Sequence, residues 1–147
     1  MKFLNRLDIT TEVISSDFYM KNIDLYRMSI KNMIKEIGKQ GKDDECLKCL
    51  NILGQEIESI DTLNYEYKHL GKTLSFDCLS RGERVLLVSY ASKITNTPII
   101  LYNDIMQLTK TTLRSFYNLF GNCDNITIVY KNDSELNYLE LAMQGEI

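Results

Sequence analysis

Leu79-Ser80-Arg81-Gly82-Glu83-Arg84, running on as V-L-L-V-S-Y-A-S-K-I-T-N-T-P-I-I-L-Y-N-D to Asp104, is the stretch from which the rest of the chain can be read. Ser80 and Glu83 stand three residues apart. The Ser80 hydroxyl can accept from the Glu83 N–H while the Glu83 carboxylate returns to the Ser80 N–H, the pattern of a capping box, so the spacing predicts a helix from Arg81. Gly82 leaves the first turn bare. Arg81 adds positive charge where the helix dipole is already positive, so this end is suited to an anion such as a phosphate. The bland alternative is that the same residues are ordinary helix punctuation. Pro98 cannot continue the helix, and the apolar run I-I-L-Y at 99–102 reads as a short buried strand.

The order of these parts resembles the signature half of an ATP-binding-cassette or SMC-type ATPase head. In that family a Leu-Ser-x-Gly-Gln/Glu signature opens a helix, and a hydrophobic strand carrying the Asp-Glu Walker B pair follows about two dozen residues later. Leu79, Ser80, Gly82 and Glu83 match the signature, and residues 99–102 fall where the Walker B strand belongs. Asn103 then stands at the place of the metal-associated Asp, and Asp104 at that of the catalytic Glu. Lys131 stands where the family has a switch His. The resemblance covers residues 74–133, and it implies a signature that acts in trans, its Ser and Gly facing the γ-phosphate of ATP held by an opposing head.

A phosphate cradle of the chain's own is not evident. Gly71-Lys72-Thr73 has the ending of a P-loop, but the motif's first glycine falls at Glu66, whose carboxylate would repel phosphate. The stretch before the triplet looks helical and Leu74-Ser75-Phe76 after it looks extended, the reverse of what a P-loop needs. Phosphoryl transfer also needs Mg²⁺ held by oxygen ligands and a group that positions water. Asn103 is a poorer Mg²⁺ partner than a carboxylate, and Asp104 is a shortened water-positioning candidate. The expectation is a chain without ATP turnover and without a cofactor, ATP being present only where a partner supplies it.

The 147 residues amount to one ordinary domain, with 44% hydrophobic and 25% charged residues, the range of chains that fold. A net charge of −3 without a basic tail gives no bulk attraction to nucleic acid. No apolar run reaches the roughly 18 to 20 residues of a membrane span, and the N-terminus lacks the layout of a secretory signal. A cytoplasmic protein with no membrane partner is expected. Cys46, Cys49, Cys78 and Cys123 should then stay reduced. Cys46 and Cys49 form a C-x-x-C, but the only His is His69, and the pair shares a helical face with Leu50, Leu53, Ile57 and Ile60. That favours core packing over zinc.

Along the chain, residues 9–14 alternate weakly as a strand. Ile23, Tyr26, Ile30, Met33, Ile34 and Ile37 recur at helical spacing from a cap at Ser16 or Asp17. Gly38 to Lys42 break the pattern, and Asp43 and Asp44 head a second helix to about residue 60, making a helical hairpin over 17–60. After the 99–102 strand, Thr109 or Lys110 opens a helix with Leu113, Phe116, Tyr117 and Phe120 inward, ended by Gly121. Ile126-Thr127-Ile128-Val129-Tyr130 is a β-branched strand, and a last short helix follows from Ser134 to Met143. Strand, helix and strand argue a βαβ unit with parallel strands.

The fold class is therefore α/β: one domain over 1–147, with a small mainly parallel sheet, crossover helices and an N-terminal helical hairpin. The functional expectation is a non-catalytic, degenerate ATPase-like protein that docks on or regulates a partner ATPase through Ser80, Arg81, Gly82 and Glu83. Two alternatives stand beside it. One is an independent interaction or inhibitor protein of mobile-element type that uses the hairpin; the other is the signature-bearing half of a split ATPase completed in trans. A protein partner or a second copy of the chain is implied in each.

Overall fold

Phe3 and Leu4 bring the chain into a sheet almost at once, as strand β1 (Lys2–Asn5). The computed structural model describes residues 1–8, 18–19, 30–54, 56–101 and 105–145. The Met1 ammonium fixes this start by donating to the Gly121 carbonyl at 3.1 Å. Strand β2 is the pair Phe18–Tyr19. The strand expected over 9–14 and the helix start expected at Ser16 or Asp17 lie outside the described residues. Helix α1 is described over Ile30–Lys39 and buries Met33, Ile34 and Ile37, as their spacing requires. Its Gly38 lies so close to the chain at Thr62 and Leu63 that a Cβ there would sit 2.5 Å from Thr62 Oγ1 and 2.8 Å from Leu63 Cγ.

Gly41, at φ 68°, turns the chain, and Lys42 N–H donates to the Ile37 carbonyl at 2.9 Å. Helix α2 (Asp43–Leu50) follows, with Asp43, Asp44 and Glu45 in its first turn, where the dipole favours them. The hairpin of α1 and α2 is present, but α2 stops at Leu50 rather than near residue 60. A short 3₁₀ turn over Asn51–Leu53 ends at Gly54, in the left-handed region at φ 85°. The Asn51 amide then pins the returning chain, donating to the Ile57 carbonyl and accepting from the Ile57 N–H, each at 3.0 Å.

The stretch before Gly71-Lys72-Thr73, expected to be helical, and the extended residues after it form a three-stranded antiparallel meander of β3 (Ser59–Asp61), β4 (Glu66–His69) and β5 (Lys72–Ser75). Thr62, fully buried in the β3–β4 loop, donates its hydroxyl to Asp43 at 2.6 Å and so ties the meander to the start of α2. Between β4 and β5, Leu70 and Gly71 both take positive φ, 52° and 75°, the signature of a type I′ hairpin turn.

Helix α3 (Arg81–Thr95) is the element against which the others pack, touching α1, α2, and, from the second half of the chain, strand β6 (Ile99–Leu101) and helix α4 (Lys110–Phe120). Every residue from Val85 to Ser92 is buried, so its middle turns are surrounded rather than amphipathic. It ends at Asn96, left-handed at φ 57°, and Pro98 leads into β6. After α4 come strand β7 (Ile126–Tyr130) and helix α5 (Asp133–Gln144), which lies against α4. β6 and β7 are parallel neighbours in the register Ile99↔Ile126 and Leu101↔Ile128, with α4 as the crossover. β1 adds in parallel beyond β7 and β2 pairs antiparallel with β6, giving the order β1-β7-β6-β2. Ile99, Leu101, Ile126 and Ile128 point into one cluster with Leu113, Phe116, Leu139 and the α3 side chains, while Ile100 and Val129 alternate to the other face. Among the described residues no helix is long and apolar enough to cross a membrane.

Candidate functional site at the carboxyl edge of the sheet

Topology decides where the signature-like residues fall. α3 runs into β6 through the short turn at Asn96–Pro98, so its start lies toward the carboxyl edge of the parallel strands. α4 and α5 leave that same edge after β6 and β7. The caps Ser80, Thr109 and Asn132 thus belong to one side of the sheet, and α/β sheets generally bind ligands at that edge. Each cap is made as its residue type dictates: Ser80 Oγ accepts from Glu83 N–H at 3.3 Å, Thr109 Oγ1 from Thr112 N–H at 3.1 Å, and Asn132 Oδ1 from Glu135 N–H at 3.0 Å.

The capping box inferred from sequence is complete, since Ser80 N–H also donates to Glu83 Oε1 at 3.0 Å. Ser80 is exposed and Arg81 half-buried. Glu83 is only 2% exposed, and its second oxygen, Oε2, has no hydrogen-bond partner among the described residues. An approaching anion would meet the exposed Ser80 first, with the buried Glu83 carboxylate behind it opposing it. Gly82 is half-buried. A Cβ there would lie 3.0 Å from Leu53 Cδ1, 3.5 Å from Thr112 Cγ2 and 3.7 Å from Leu108 Cδ2. Of these only the Leu53 side chain would have to give way to a Cβ, while Thr112 and Leu108 would be in ordinary contact.

Asn103 and Asp104 lie outside the described residues. Lys131 is exposed just after β7, and its N–H donates to Glu135 Oε2 at 2.8 Å, so the switch-like position belongs to the turn that starts α5. Gly71-Lys72-Thr73 forms no phosphate loop. Gly71 occupies the hairpin turn, Lys72 and Thr73 pair with His69 and Lys68 across the strands, and Gly71 N–H is taken by Glu58 Oε1 at 2.9 Å. A carboxylate already sits where a phosphate oxygen would have to be.

Cys46 and Cys49 are buried on α2, and no cluster of three His, Cys, Asp or Glu able to hold a metal occurs among the described residues. Burial pushes the Cys49 thiol up to about 12, Lys93 opposing the shift. Burial raises Cys46 further, with Cys49 and Asp43 adding to it. Neither thiol is a nucleophile near neutral pH.

Sequence reasoning missed a cavity of about 300 Å³ between α1, the meander and α3. Ile34, Phe76, Leu87 and Val88 give it an apolar floor, and Lys31, Asp77 and Arg84 line it too. The Tyr65 hydroxyl donates to Asp77 Oδ1 at 3.1 Å, and Lys31 Nζ stands 4.9 Å from the Tyr65 ring centre. Burial, and then the bond to Asp77, raise the Tyr65 pKa to about 12. No local pattern could have revealed a group of residues drawn from three separate elements.

No protein-family model matches the chain, and neither a curated protein nor a solved structure matches it.

Proposed function

We propose that this chain is a non-catalytic binding protein of the cytoplasm that docks on a partner ATPase resembling the ATP-binding-cassette and SMC type. The contact is the exposed Ser80 hydroxyl, the Arg81 side chain and the N-terminal end of α3. The observation that carries the reading is the completed capping box at the carboxyl edge of a parallel sheet, beside the start of α4. A helix N-terminus, a small hydroxyl and a guanidinium favour a phosphate or carboxylate by roughly 1 to 2 kcal/mol in partly buried geometry. Any nucleotide in such a complex is held by the partner, because Gly71-Lys72-Thr73 is committed to a hairpin. Asn103, Asp104 and Lys131 are degenerate counterparts with no catalytic task in this reading.

Arg81→Glu is the discriminating variant. It reverses the charge at the contact while a carboxylate in the first turn suits the dipole, and thermal melting of both proteins checks that the fold is kept. Gly82→Glu is unsuitable because its side chain would be driven against Leu53. Capture from lysate followed by mass spectrometry should recover an ATPase with the parent chain and lose it with Arg81→Glu, the two proteins melting alike. Recovery of no ATPase, or equal recovery by both, refutes the proposal.

A further inference from the structure

A second cavity, of about 220 Å³, opens between α2, the later half of α3 and α4. Cys49, Tyr90 and Phe120 line it, Ile52 and Leu119 stand beside them with 46% and 36% of their surface exposed, and Lys48 and Lys93 complete the wall with Glu45. Tyr90 is 6% exposed, and its hydroxyl faces the Glu45 carboxylate without closing a hydrogen bond of good geometry. Among the described residues neither Lys48 nor Lys93 is held in an ion pair.

These features choose between occupants. Pockets that enclose whole small molecules usually run from roughly 300 to 1,000 Å³, and this one is smaller. It is the size for a single large side chain. The apolar rim formed by Ile52 and Leu119 extends contact beyond the cavity, which a segment of chain can use and a small ligand cannot. Lys48 and Lys93 outnumber Glu45 in the wall and set the sign of what flanks the anchor. We propose that this cavity is a docking site for an acidic protein segment that inserts one Phe or Leu side chain and sets its carboxylates against Lys48 and Lys93. The site is independent of the ATPase reading, since Tyr90 lies about 15 Å along the axis of α3 from Ser80.

The test is an NMR titration of the whole ¹⁵N-labelled chain with the peptide acetyl-Asp-Glu-Phe-Glu-Asp-amide. Controls are the same peptide with Ala in place of Phe, a version with Lys in place of every acidic residue, and hexanoate. Saturable shifts are expected at Lys48, Ile52, Tyr90 and Leu119, with affinity reduced about tenfold or more for both control peptides. Lys48→Glu/Lys93→Glu should weaken the acidic peptide by about tenfold or more and flatten its salt dependence. The variant is first shown to retain the parent's amide spectrum. Absent or unsaturable shifts, shifts centred elsewhere, indifference to the charge reversal, or saturation by hexanoate without the peptide overturn the proposal.

Discussion

Leu70→Asn should stabilise the protein, and the size of the gain follows from one backbone angle. Leu70 sits at φ 52° beside Gly71 at 75°. A left-handed conformation costs an L-residue such as leucine roughly 1 to 2 kcal/mol, whereas asparagine, whose amide bonds locally, tolerates it. Leu70 is 79% exposed, so replacing it forfeits only about a fifth of the roughly 2 kcal/mol that full leucine burial is worth, near 0.4 kcal/mol. The balance is a gain of about 0.5 to 1.5 kcal/mol. At roughly 2 to 4 °C per kcal/mol for a chain of this length, Tm should rise by about 1 to 6 °C. Calorimetric melts of the parent, Leu70→Asn and Gly71→Ala provide the measurement. Gly71→Ala should move the other way, because its new Cβ is forced into the same left-handed region. Should Leu70→Asn melt at or below the parent, or both variants shift in one direction, the type I′ hairpin is wrong, and with it the structural reason for rejecting a phosphate loop at Gly71-Lys72-Thr73.

Gly38→Ala should destabilise by about 1 to 3 kcal/mol despite the better helix propensity of alanine, because the Cβ would displace Thr62 from Asp43; denaturant unfolding measures it. An unchanged midpoint would mean that α1 and the meander are not in close contact. Cys49, raised to about 12 and coming from an unfolded value near 9, keeps its proton in the folded protein while the unfolded chain loses it. Its stabilising contribution is therefore complete below about pH 9 and is lost as pH rises toward 12, so urea midpoints should fall across that interval and fall less in Cys49→Ala. With a thiol reagent near pH 8, exposed Cys78 should react well before Cys46 and Cys49; equal rates for all would contradict their burial. Calorimetry and phosphate release with ATP and Mg²⁺ should show neither micromolar binding nor turnover by the isolated chain, and turnover abolished by Asp104→Ala would reverse that assignment.

What the sequence could and could not disclose follows from how far apart the deciding residues stand. The β6–α4–β7 unit was legible because each part carries its own signal: two apolar runs, an amphipathic helix, and Thr109 and Gly121 at its ends. The Ser80–Glu83 box was legible for the same reason, both partners lying within one turn. The meander was not, because its strands are three or four residues long and mostly polar, and Leu70-Gly71 lacks the Asn-Gly form of a type I′ turn. Ile57 and Ile60 continued the spacing of α2 by coincidence and so hid its end at Leu50, which the Asn51 side chain enforces through bonds to a residue six positions on. Gly82 shows how the same limit bears on function. Read alone, a glycine in the first turn of a capped helix leaves room for a ligand. Placed beside Leu53, it also packs against the protein's own side chains, so a substitution there reads packing together with any contact to a partner, and Arg81 is the position that separates the two.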